Sequence, residues 1–120
     1  HTAGIGGLAC PSPNLCVAGD GVGDILRSFQ PTGGSGTWHI VHHDTGTFIA
    51  SVSCLSSSSC VASDSAGRVL GSSNVGATTP GWAKVNVDPG NVVWDLVCPS
   101  IHLCVAGDID GRVFNAVTTA

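Results

Sequence analysis

Cysteine, aspartate and histidine supply the reactive side chains of this 120-residue chain, and their spacing restricts what each could do. The six cysteines form C-x5-C pairs, Cys10 with Cys16, Cys54 with Cys60 and Cys98 with Cys104. Zinc knuckles usually show C-x2-C or C-x4-C with matching His or Cys partners, so this spacing points to disulfides rather than metal. The internal symmetry favours pairing within each C-x5-C unit. Such bridges imply an oxidising compartment, with the protein secreted or displayed outside the cell. The acidic residues are all aspartate, and Asp20, Asp64 and Asp108 recur at one interval of 44 residues. The run Asp108-Ile109-Asp110-Gly111 invites a calcium reading. Calcium wants about six to eight oxygens, and the run lacks the further acidic ligands of a full loop site. An Asp that opens a tight turn by bonding its own backbone explains the same placement. Asp108 and Asp110 are therefore weak calcium candidates, and no metal or cofactor is expected.

His39, His42 and His43 cluster near Trp38. Strict alternation in a strand puts His39 and His43 on one face and His42 on the other. Two imidazoles four apart on a strand lie about 13 Å apart along the backbone, too far to share a metal. The second repeat has Ala83, Asn86 and Val87 in their places, so they are not part of the scaffold pattern. They stand as ligand-contact candidates. An N-terminal His1 could chelate copper through its amine and ring, as in the brace of lytic polysaccharide monooxygenases, given a second histidine from His39, His42, His43 or His102. Nothing in the sequence brings one beside it, and a processing remnant is the plainer reading of His1. Trp94 is the remaining candidate. Its counterparts in the other repeats are Gly6 and Ala50. A non-repeated aromatic on a first strand could stack on a sugar ring or anchor a partner. Serines are plentiful, but there is no G-x-S-x-G elbow and no glutamate for a paired-carboxylate hydrolase, so no catalytic residue is expected.

The element that must position these side chains is a repeat. Cys10, Cys54 and Cys98 are 44 apart, as are Cys16, Cys60 and Cys104, Trp38 and Trp82, and Asp44 and Asp88. The aligned segments read CPSPNLCVAGDGVGDIL, CLSSSSCVASDSAGRVL and CPSIHLCVAGDIDGRVF. A fixed period means one supersecondary unit copied in tandem, each copy burying its apolar face on its neighbours. The chain reads as a single repeat domain over 1–120, with units at approximately 4–47, 48–91 and 92–120 and the last one incomplete. Seventeen Gly, six Pro and many Ser and Thr punctuate short runs of Val, Ile and Leu, an all-β signature. In the second repeat, strands are expected at residues 48–54, 60–63, 68–72 and 82–87, with turns at 55–59, 64–67 and 88–91. The first two strands would form a hairpin clamped by the bridge.

Four antiparallel strands per unit of this length describe a β-propeller blade. A β-trefoil is the alternative, but a trefoil lacking one of its strands would leave a hole in its closure, whereas a blade lacking its outermost strand loses little. The pattern CPSxxLCVAGDxxGxVxxS…PTGGSGTW resembles a repeat found in tandem in secreted actinobacterial proteins. More distantly, residues 17–38 (VAGDGVGDILRSFQPTGGSGTW) are similar to the photosystem-assembly-factor and Asp-box type of propeller repeat, which runs VGDGGxILRTxDGGxTW. The Asp-box aspartate is replaced by Pro31 in the first repeat and has no recognisable counterpart in the second. The resemblance implies a toroid of radial blades, typically about four to eight in number. An incomplete set of three closes no ring. The expectation is either a piece of a longer secreted propeller protein or enzyme, or a protomer that completes a ring as a homodimer or stacks into an open polymer or filament.

Composition narrows the partners. Only 10% of residues are charged and the formal charge is −4, which leaves no basic footprint for nucleic acid and no cationic run for an anionic membrane. The longest apolar stretches are a handful of residues, too short to insert across a bilayer. An apolar fraction of 42% fits ends that associate. The reading that follows is a non-enzymatic extracellular structural or interaction module, with a lectin-like carbohydrate-binding propeller as the alternative. Residues outside the repeat pattern, Trp94, Lys84 and the three clustered histidines, are where function is sought.

Overall fold

The computed structural model describes residues 4–44, 46–100, 103–108 and 110–117. The described residues form eleven strands in three antiparallel sheets. Sheet 1 holds β1 (Ile5–Ser12), β2 (Leu15–Asp20), β3 (Asp24–Ser28) and β4 (Trp38–His43), the last entered through a 3-10 turn at Ser35–Thr37. Sheet 2 holds β5 (Ile49–Cys54), β6 (Cys60–Asp64), β7 (Arg68–Ser72) and β8 (Ala83–Asn86). Sheet 3 holds β9 (Val93–Ser100), β10 (Leu103–Asp108) and β11 (Val113–Val117), with no fourth strand among the described residues. Each sheet is a meander confined to one repeat. The expected strands of the second repeat stand to within a residue or two at their ends.

The turns follow from the repeated aspartates. Asp64 Oδ1 accepts the N–H groups of Ala66 (2.9 Å) and Arg68 (2.9 Å), and Asp20 and Asp108 do the same two and four residues on. This closes the connection between second and third strands, with Gly23, Gly67 and Gly111 at φ of +88°, +84° and +86° supplying the left-handed residue the turn needs. The disulfides pair Cys10–Cys16, Cys54–Cys60 and Cys98–Cys104, each across its first hairpin, and no free cysteine remains. Cys54 and Cys60 lie directly opposite in register.

The sheets pack face to face through their repeated apolar rows. In sheet 2 the cross-strand row Val52, Ala62, Leu70 faces sheet 1 and meets Leu15, Val17 and Ile25 in a first core. In sheet 3 the equivalent row, Leu96, Ala106 and Phe114, meets Val61 and Val69 of sheet 2 in a second core. The first strands pack in succession, β1 against β5 and β5 against β9. Glycine permits this approach, since a Cβ on Gly7 would come within 2.5 Å of the Val52 nitrogen and one on Gly19 within 2.1 Å of the Ile49 side chain.

The same rows recur, partly exposed, at the two ends of the stack. Sheet 1 carries Leu8, Ala18, Leu26 and Ile40 in one cross-strand row, with Leu8 59% and Ile40 57% exposed at its ends and Ala18 and Leu26 buried between them. Sheet 3 presents Val97 and Val113, also exposed, on the face equivalent to the one that sheets 1 and 2 bury.

Candidate functional site

Two features could carry function, an aromatic cavity and a charged clasp between sheets. The cavity, of about 490 Å³, opens where the first strands begin and is lined by Gly4, Ile5, Gly6, Phe48, Ala50 and Trp94, among others. Its shape comes from the break in the repeat. Gly6 and Ala50 leave room, while Trp94 at the equivalent position of β9 forms a wall against Phe48, with ring centroids 5.6 Å apart. Trp94 is 47% exposed. The described lining is apolar and aromatic and carries no ionisable side chain, so what it offers a ligand is stacking and desolvation.

The clasp sits between sheets 1 and 2. Asp44, just past β4, is fully buried; its Oδ1 accepts from Arg68 Nη2 (3.0 Å) and lies 2.9 Å from Lys84 Nζ, while its Oδ2 accepts from Thr47 Oγ1 (2.8 Å). Arg68 also donates Nε to Asp64 Oδ2 at 2.9 Å, so one guanidinium bridges an aspartate from each sheet. Burial alone would push the Asp44 carboxyl up, but hydrogen bonding with Asp64, Lys84 and Thr47 and the charge of Arg68 hold it down, to about 2. Asp64 is pushed up instead, by burial and then by the neighbouring Asp44, against the backbone N–H groups it accepts. Both carboxylates are buried with both oxygens engaged, which suits a structural clasp.

The junction between sheets 2 and 3 repeats the clasp in weaker form. Arg112 Nε donates to Asp108 Oδ2 at 2.9 Å, but its Nη2 lies 4.0 Å from Asp88, the counterpart of Asp44. Asp108 and Asp110, the calcium candidates, are both bonded by Arg112. No group of three or more metal-capable side chains occurs among the described residues.

The three histidines separate. A bulge in the β3–β4 register sets His39 opposite Arg27 and His42 opposite Ile25, two positions apart on β3 and so on one face. Strict alternation had grouped His39 with His43; the extra residue at Val41 shifts the phase and corrects that expectation. His43 leaves the group to bond Asp24 at 2.6 Å, and His42 packs 6.1 Å from the Trp82 ring. Burial, then the charge of Lys84 and of His43, lower the His42 pKa against the opposing pull of Asp44, and its buried Nε2 has no hydrogen-bond partner among the described residues. Trp82 packs into the first core, as a repeated packing residue should. The proposals built on His1 and His102 lie outside the described residues. What sequence reasoning missed was the clasp, although Arg68 and Arg112 stand 44 apart, each four residues after a repeated Asp.

Comparison with known proteins finds no family model that matches the chain and no curated protein that matches it significantly. No helix among the described residues is long and apolar enough to cross a membrane.

Proposed function

We propose that this chain is a non-enzymatic, extracellular structural module whose sheets are propeller-type blades, and that it assembles with copies of itself through its uncapped ends. The observation that carries this reading is the pair of open apolar faces. Leu8 and Ile40 at one end and Val97 and Val113 at the other are exposed, whereas Val52 and Leu96, the counterparts of Leu8, and Ile25 and Val69, the counterparts of Val113, pack against a neighbouring sheet. A head-to-tail contact would cover both faces with the kind of packing already used twice within the chain. First strands in succession, and strand pairing confined to each repeat, favour radial blades over a trefoil, whose barrel needs pairing between repeats. Three disulfides in a small all-β chain support an oxidising, extracellular setting. The test is native mass by light scattering coupled to size exclusion. A discrete dimer near twice 12.0 kDa supports a shared ring and larger open-ended species support a polymer, whereas a monomer at all concentrations sinks the reading.

A second reading, carbohydrate binding, draws on the cavity at Trp94. An exposed indole beside Phe48 over a glycine-lined floor suits the apolar face of a sugar ring. Titration with a glycan panel, followed by tryptophan fluorescence, tests it. Binding that survives Trp94→Ala, or no binding by any glycan, rejects the cavity as the site.

A further inference from the structure

We propose that the Asp88–Pro89 peptide bond is a self-cleavage site, cut in acid when the Asp88 side-chain carboxyl attacks its own main-chain carbonyl. The activity is independent of self-assembly and of the Trp94 cavity. It would divide the chain between its second and third sheets.

The repeat supplies the comparison. Asp44 and Asp88 hold equivalent positions, each just past the fourth strand of its sheet. Asp44 is followed by Thr45, and both its oxygens are engaged, one by Arg68 and Lys84 and the other by Thr47. Asp88 is followed by Pro89, the sole Asp-Pro step in the sequence. Its Oδ1 accepts from Asn91 Nδ2 at 3.0 Å and lies 4.0 Å from Arg112 Nη2. Its buried Oδ2 has no hydrogen-bond donor among the described residues, which leaves a lone pair for nucleophilic attack. Asp108 is held down to about 2, first by hydrogen bonding with Asp88. When these two carboxyls share a proton, Asp88 is therefore the donor and Asp108 the acceptor. The other charged groups around Asp88 are Asp110, bonded to Arg112, and, on the turn it docks on, Asp64 and Arg68, which pair with each other.

The backbone holds the scissile unit in place. Asp88 N–H donates to Gly67 O (3.0 Å) and Gly90 N–H to Ala66 O (3.1 Å), so the peptide groups on either side of Asp88–Pro89 are fastened to the β6–β7 turn. Asn91 N–H donates to the Asp88 main-chain oxygen at 3.1 Å, where negative charge develops during attack. Pro89 makes the scissile link a tertiary amide, whose departing nitrogen is a basic secondary amine. Asp88 is 6% exposed, whereas Pro89 and Gly90 face solvent. Water is thus kept from the attacking oxygen and admitted on the leaving side.

In the step itself, Oδ2 bonds to the Asp88 main-chain carbon and forms a cyclic anhydride. The bond to the Pro89 nitrogen breaks, and the carboxyl proton goes to that nitrogen. One water then opens the anhydride, leaving Asp88 as a new C-terminus and Pro89 as a new N-terminus. The sum is hydrolysis of one peptide bond.

Each disulfide joins cysteines on one side of the bond, so a cut separates residues 1–88 from 89–120 in mass without reductant. The test holds the purified protein at the lowest pH that leaves its near-ultraviolet circular dichroism native and follows intact mass. Expected are those two fragments, at a rate that rises as pH falls and does not depend on protein concentration. In urea at the same pH the cut should be at least about tenfold slower, because the fold supplies the alignment. Pro89→Ala, at an exposed position, should all but stop cleavage and leave the melting temperature near that of the parent. Asp88→Asn should do the same to cleavage, and if it does not fold, Pro89→Ala carries the test. A native protein that stays intact, a cut as fast in urea, a cut at another aspartate, or a rate that follows protein concentration would each overturn the site.

Discussion

At the scale of single residues, the chemistry of this chain is spent on holding sheets together. Arg68 bridges two buried aspartates from different sheets, so its removal takes the side-chain cation from Asp64 and leaves Asp44 to Lys84. Because the guanidinium itself is a quarter exposed, Arg68→Ala should cost about 2–4 kcal/mol rather than the full loss of a buried pair, read by thermal or chemical unfolding with disulfides intact. Arg112→Ala, at a more exposed position and more distant from its second aspartate, should shift the melting temperature much less. Equal effects would mean that the clasp is not what joins sheets 1 and 2. His42 sets a pH dependence of known sign. Its folded pKa lies below the ordinary 6.5, so the unfolded chain takes up the proton first. Stability is therefore complete above about 6.5 and declines as pH falls below it. Melting curves between pH 7.5 and 5 should show this decline, and His42→Gln should flatten it relative to the parent. The bridging role of Arg68 was hidden in the sequence because an ion pair joins residues 24 apart that only packing brings into contact.

At the scale of elements, the turns and strands were legible and their phase was not. The Asp-x-x-Gly turns, the hairpins under each C-x5-C bridge and the strand limits of the second repeat all follow local rules of turn chemistry and alternation. The bulge in β4 does not, since one extra residue leaves no signal in composition, and it reversed the facing of His42 and His43. Gly67 and Gly111 share a turn and a sign of φ, yet only Gly67 has a neighbouring backbone packed on it. Gly67→Ala should cost about 3 kcal/mol or more, through strain plus the collision with Asp88 O. Gly111→Ala should cost about 1–2 kcal/mol, from the left-handed backbone alone. Paired denaturation curves check the difference.

At the scale of the whole molecule, three repeats make two cores and leave two faces open. The rows that fill the interior, Val52–Ala62–Leu70 and Leu96–Ala106–Phe114, are copies of the row that sheet 1 leaves exposed at Leu8 and Ile40. Leu8→Asp at one end, or Val97→Asp at the other, should each reduce the native mass to that of one chain, since a head-to-tail contact uses both faces. A change at only one end would point to a two-fold, face-to-face contact. Melting temperature should stay near that of the parent, because neither side chain belongs to the buried cores. The aromatic cavity belongs to this scale as well, for it depends on Phe48 of one repeat meeting Trp94 of the next.

The sequence by itself determined the period, the disulfide partners, the all-β class and the turns, because each is written in contacts between residues close along the chain or copied at a constant interval. Tertiary structure alone decided which aspartates meet which arginines and where Trp94 finds its aromatic partner. Those outcomes depend on how neighbouring sheets stack, a relation between faces that repeats along the sequence but is satisfied only where a neighbour exists. Asp88 carries that distinction: its residue type is repeated, and the groups that meet it, Asn91 and Arg112, are set by the fold.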